Sequence, residues 1–117
     1  MKILIMGFAK IKYMPYLHFY LNNIDRKANQ VHLLYWNRDL SDEPLEKFKD
    51  LTLHEFRFYQ EDDVSIIKKL SGFLKYRRFA GKILKQDFDR VIALHTFPAV
   101  LNIDRLKKKY SNRYIFD

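Results

Sequence analysis

Apolar positions fall along this chain at two different spacings, and the two alternate. Lys2–Gly7 (KILIMG) carries an unbroken apolar run, Ile3 to Met6. A strand with one wet face would alternate apolar and polar side chains. An unbroken run predicts a strand covered on both faces, the habit of parallel sheets flanked by helices. Val31–Trp36 (VHLLYW) is nearly continuous in apolar character, and Arg90–Leu94 (RVIAL) reads as a further strand. Thr52–Phe58 (TLHEFRF) is interrupted by His54, Glu55 and Arg57 and reads as a sheet-edge strand. A fifth strand starts at Arg113 (RYIFD).

Between these runs the spacing becomes helical. Leu17, Tyr20, Leu21 and Ile24 share a stripe from about Met14 to Ile24, with Pro15 in the first turn. Leu45–Lys49 is one helical turn. Ile66, Leu70, Phe73, Tyr76, Ala80 and Ile83 step by threes and fours through a long helix predicted over Val64–Lys85. Asp62 or Asp63 is placed to cap it. Gly72 and Gly81 each weaken that helix by roughly 1 kcal/mol relative to Ala. A last helix runs from Phe97 to about Tyr110, with Thr96 as its N-cap and Pro98 in its first turn.

The order β-α-β-β-α-β-α-β predicts an α/β fold. We expect a Rossmann-like three-layer αβα sandwich around a mostly parallel five-stranded sheet of order 3-2-1-4-5. The 117 residues suit one domain, with no internal repeat or linker. The chain closes on an apolar strand with nothing after it to cover that strand. Residues 1–117 therefore read as one Rossmann-like domain of a longer protein.

Composition narrows the chemistry. There is no cysteine, hence no disulfide and no thiolate metal site. No apolar run approaches the ~20 residues of a transmembrane helix, and the start lacks a signal-peptide pattern. A cytoplasmic protein is expected. The formal net charge is +8, yet Val64–Gln86 alone holds seven Lys or Arg and no acid. Lys68, Lys69, Lys75, Arg77, Arg78, Lys82 and Lys85 are expected to project outward while Ile66, Leu70, Phe73 and Ile83 bury. Anionic headgroups attract such cations by roughly 1 kcal/mol each, screened by salt. Leu74 and Phe79 would add shallow insertion on the inner face of a membrane. The competing reading is a solvated face of a basic domain. No nucleic-acid-binding motif appears, and no nucleic-acid partner is expected.

Ligands of open α/β sheets gather at the carboxyl ends of the strands. Gly7, Phe8 and Lys10 follow the first strand there, where bare backbone and a cation suit an anion. His95 ends the fourth strand at the same rim, with a ring suited to a sugar hydroxyl or phosphate. His18, His32 and His54 form no spacing suited to a metal, and none is expected. No acidic cluster follows the first strand, as a receiver domain would need, and no GxGxxG, as a nicotinamide-binding domain would need. The serines lack a nucleophile-elbow context, and no acid/base pair emerges.

KILIMG, the FDRVIALHT segment and the closing RYIFD resemble the N-terminal domain of group 1, GT-B fold glycosyltransferases. Asp89, Val91, Ile92, Leu94 and His95 match that family's fourth strand. Asp117 lies near where its fifth strand ends at an acidic residue or His facing the interdomain cleft. The resemblance implies transfer of a sugar from a nucleotide-sugar to a polysaccharide or lipid-linked acceptor, as in polysaccharide biosynthesis. It implies that this domain mainly holds the acceptor, with Gly7, Phe8, Lys10, His95 and Asp117 as substrate-binding residues and no cofactor. Gly7 stands alone where many relatives carry a glycine-rich loop. The donor-binding C-terminal domain and its paired glutamates are not within this sequence, so the isolated chain is expected to be inactive. The alternative is a non-catalytic α/β binding module, associated with a membrane surface.

Overall fold

The strand that opens the chain lies at the centre of the sheet. In a computed structural model, which describes residues 1–61 and 63–116, β1 (Lys2–Met6) is flanked by β2 (Gln30–Asn37) and β4 (Arg90–Ala93). β3 (Thr52–Arg57) and β5 (Tyr114–Phe116) form the edges. The order is β3-β2-β1-β4-β5, and every pairing is parallel. Ile5 sits in register with Leu33 on one side and Ile92 on the other.

Residues alternate between the two faces of the sheet, and both faces are covered. Leu4 and Met6 join Leu34, Trp36, Phe88 and Val91 beneath α2 (Ile66–Leu84) and α4 (Ile103–Lys109). Ile3 and Ile5 join Leu33, Tyr35 and Ile92 beneath α1 (Pro15–Asn23), which contributes Leu17 and Leu21. This is the three-layer αβα arrangement that the unbroken apolar runs require. The mixed strand β3 is an edge strand, as its polarity predicts. Short 3₁₀ turns occupy Ile11–Tyr13 and Glu46–Phe48.

Three local expectations are corrected. First, Ser65 caps α2, accepting the Lys68 N–H at 3.4 Å. Asp63 lies before that cap, and Asp62 lies outside the described residues. Second, Ile66 and Leu70 are 76% and 52% exposed. Stepping by threes and fours sweeps roughly 140° of a helix with 3.6 residues per turn. The core covers the arc of Tyr76, Ala80 and Ile83 and leaves the edge that carries Ile66 and Leu70 in solvent.

Third, the last helix is two helices. α3 (Thr96–Leu101) has His95, not Thr96, at its N-cap, and it stops at Asn102. Asn102 is fully buried. Its amide donates to the Pro98 carbonyl at 3.2 Å, and its oxygen accepts from Arg105 at 2.8 Å. A side chain that bonds backbone in this way competes with the helix ladder. The chain leaves helical geometry there, and α4 begins one residue later.

Candidate functional site

From β1 the chain builds outward to β2 and β3, then returns to the other side of β1 as β4. The connecting loops diverge at that switch, and a crevice opens between them. It measures about 950 Å³. The loop after β1 lines it with Phe8, Ala9, Lys10 and Tyr13; the end of β2 adds Trp36, Arg38 and Asp39. The segment after β3 brings Tyr59, Gln60, Glu61 and Asp63, and the turn after β4 brings His95, Thr96 and Phe97.

The crevice is built on aromatic rings. Phe8 packs edge-on against Trp36 and Tyr76 at 5.0 and 4.8 Å and stacks on Phe97 at 5.5 Å. The Arg38 guanidinium lies 4.2 Å over Trp36 and 5.0 Å over Phe8, a cation–π arrangement. Tyr13, Tyr59 and Phe97 remain at least half exposed at the mouth. The Tyr59 hydroxyl donates to Glu61 at 2.6 Å.

The expected anion cradle is already occupied by the protein's own groups. The Gly7 N–H donates to the Leu34 carbonyl at 2.7 Å, and its carbonyl accepts from the Tyr76 hydroxyl at 2.8 Å. A Cβ on Gly7 would stand 2.3 Å from Met14 Sδ. Something does approach bare backbone here, and it is the Met14 thioether. Gly7 lies beneath the crevice, outside its lining. Lys10 does line it but is only 3% exposed. Its ammonium pairs with Asp39 at 2.7 Å and donates to the Ser41 hydroxyl. Hydrogen bonds from Lys10, which contributes most, and from the Ser41 N–H and hydroxyl hold the Asp39 carboxyl far below the usual carboxylate range. The Ile11 and Lys12 amides donate to the Glu43 carboxylate at 3.1 and 3.2 Å. The amides and the ammonium after β1 thus tie two loops together.

His95 stands at the rim, half-buried, and burial lowers its pKa. Its imidazole is neutral near pH 7, with one donor and one acceptor nitrogen. Among the described residues its ring makes no hydrogen bond. Gln60 is buried, and its Oε1 has no partner among the described residues. That oxygen reaches α2 where Gly72 leaves room, since a Cβ there would be 2.1 Å away.

Phe8, Lys10 and His95 therefore share one crevice, Gly7 supports it from below, and Asp117 lies outside the described residues. Arg38, Asp39, Tyr59, Gln60, Glu61, Asp63 and Phe97 escaped the reading of the sequence. Their signal was position alone: each follows the carboxyl end of a predicted strand or opens the next helix.

The basic helix divides. Lys68, Lys75, Arg78, Lys82 and Lys85 are exposed, and Lys69 is half-buried. Arg77 turns toward α4 instead of outward, with a two-pronged pair to Asp104 at 2.8 and 2.9 Å and a bond to the Leu101 carbonyl at 2.6 Å. Phe79, expected to insert into lipid, packs on Phe56 at 5.4 Å. Ile66, Ile67, Leu70 and Leu74 are the exposed apolar residues of α2. No helix among the described residues is long and apolar enough to cross a membrane. Among those residues, no group of three or more His, Asp or Glu could hold a metal ion.

The architecture and its crevice define a Rossmann-like α/β domain. No family model matches the sequence, and no curated protein does. Among solved structures, the chain resembles the C-terminal domain (residues 78–226) of a hydrogenase from Pyrococcus furiosus. The TM-score is 0.66 at 14% identity, covering 99% of this chain and 90% of that one. At such identity the likeness concerns the fold alone.

Proposed function

We propose that this chain is the acceptor-side domain of a glycosyltransferase, and that its crevice holds part of a polysaccharide or lipid-linked acceptor. The observation that carries this reading is the lining of the crevice: exposed aromatic faces beside carboxylates and a neutral imidazole. A sugar ring presents apolar C–H faces to aromatic rings and hydroxyls that need both donors and acceptors. Asp39, Glu61 and Asp63 supply acceptors. His95 supplies one of each.

The same lining disfavours a diphosphate. The Gly7 N–H and the Lys10 ammonium have internal partners. Lys10 and Asp39 cancel as a pair, and Glu61 and Asp63 outnumber Arg38 in the lining, a balance that disfavours an anion. The nucleotide-sugar donor is then held mainly by a second domain, which also stabilises the departing diphosphate. This domain binds and orients the acceptor; alone it transfers nothing.

Ligand-observed NMR with a panel of neutral oligosaccharides tests the reading. Binding in the millimolar to micromolar range is expected, weakened about tenfold or more by Phe97→Ala or Tyr59→Ala. Absence of glycan binding, or tight nucleotide-sugar binding by this chain alone, would overturn it. One observation favours a second reading, a peripheral membrane module on the cytoplasmic face. Ile66, Ile67, Leu70 and Leu74 form an exposed ridge among lysines. Flotation with anionic vesicles, lost in an Ile67→Asp/Leu74→Asp variant, would support that reading; no salt-sensitive flotation would retire it.

A further inference from the structure

The positive charge of this chain collects far from the crevice, in a groove where α2 and α4 meet. The groove measures about 700 Å³. Gly81, Leu84 and Tyr110 contribute to its lining together with six cations, and no carboxylate lines it. The one acidic residue in α4, Asp104, is engaged by Arg77.

We propose that this groove is a binding site for a phosphate-bearing group, either a soluble phosphate ester or a phospholipid headgroup.

Three features make it a built site and not merely a charged surface. Three carbonyls where α2 ends, those of Leu84, Lys85 and Gln86, are already satisfied. Lys109 donates to the carbonyls of Leu84, Lys85 and Gln86 at 3.1, 2.8 and 2.9 Å. The Tyr110 hydroxyl reaches the Leu84 carbonyl at 2.9 Å. Donors therefore dominate the groove. Arg105 is then placed against the backbone of α2, because Gly81 has no Cβ; one there would sit 2.6 Å from the guanidinium carbon.

Arg105 uses one nitrogen, Nη1, on the Arg77 carbonyl and Asn102, both at 2.8 Å. Among the described residues, its Nε and Nη2 donate to nothing. That leaves one edge of a guanidinium fork, the geometry that receives a phosphate through two parallel bonds. Finally, Arg78, Lys82, Lys85 and Lys108 surround it without an ion pair among the described residues. Cations crowded in this way, with Arg105 partly desolvated beside Arg77, favour a multiply charged anion over chloride.

The inference is independent of the crevice, so its failure leaves the glycan reading standing. Inorganic pyrophosphate titrated calorimetrically at about 50 mM salt is the first probe. Flotation with phosphatidylcholine vesicles, with and without phosphatidic acid, is the second. The Lys82→Glu/Lys108→Glu variant changes two exposed side chains, and circular dichroism checks its fold. Wild-type binding should weaken at least about twentyfold in the variant, about fivefold per cation. The Ile67→Asp/Leu74→Asp variant should bind pyrophosphate unchanged. Pyrophosphate binding without vesicle binding supports the site and identifies a soluble ester. Binding of both, lost together in the variant, supports it and identifies a headgroup. Binding of neither probe, or equal binding by wild type and variant, overturns it.

Discussion

Replacing Gly7 by alanine separates two explanations for the glycine that ends β1. If Gly7 serves ligand approach, the substitution harms binding and spares stability. The structure points the other way. The new Cβ would lie 2.3 Å from Met14 Sδ, 2.7 Å from Met14 Cε and 3.2 Å from the Leu34 carbonyl oxygen. Ordinary carbon contacts are about 3.5–4.0 Å. Met14 is fully buried and has no solvent to swing into. The backbone is held by the bonds to Leu34 and Tyr76. Gly7 has no positive φ, so alanine loses nothing in backbone geometry and gains about 0.4–1 kcal/mol from a less flexible unfolded chain. Overpacking costs about 1–3 kcal/mol. The net expectation is a loss of about 1–2 kcal/mol, read from urea unfolding midpoints at an unchanged m-value.

Met14→Ala supplies the decisive background. It costs about 2–5 kcal/mol alone but removes the atoms the new methyl meets. Gly7→Ala should then cost at least about 1 kcal/mol less than in the wild type, a coupling typical of touching residues. An equal cost in both backgrounds, or normal stability with lost ligand binding, would refute the packing account.

Two further outcomes follow from buried polar groups. Tyr76→Phe removes the donor to the Gly7 carbonyl and should cost about 1–3 kcal/mol, with no change in fold by circular dichroism; a neutral effect would mean that water replaces the hydroxyl. His32 Nδ1 and His54 Nε2 lie 2.8 Å apart and can share one proton, not two. Both pKa values are lowered, chiefly by burial; His54 then adds to the effect on His32, and Lys2 acts on both. A group whose folded pKa is depressed binds protons more readily when unfolded, so stability falls as pH drops below about 6.5. Unfolding midpoints at pH 8 and pH 5 should differ in the wild type and differ less in His54→Phe; an equal slope in both would exclude the pair as the cause.

The pairing of loops at the crevice was out of reach of any local pattern. Lys10 read as a free cation because nothing near it in sequence opposes it. Its partner, Asp39, arrives from the end of β2. Arg77 read as a surface charge for the same reason, until α4 brings Asp104 beside it. Asn102 sits within a spacing that continues helically on both sides, and the break depends on what its side chain bonds once buried. The crevice itself was legible as a location, since the carboxyl ends of the strands follow from the order of elements. Its aromatic and acidic lining was not.

What the amino-acid sequence determined alone is the sheet. The unbroken run at Ile3–Met6 and the nearly continuous one at Val31–Trp36, interrupted by His32, call for cover on both faces, and the polar interruptions of β3 suit an edge. Those are statements about each segment and solvent, so local spacing carries them. Tertiary structure decided which arc of α2 is covered, what occupies the space over Gly7, Gly72 and Gly81, and which charges find partners. Each of these is an interaction between segments distant in the chain, and its energy exists only after the fold has brought them together.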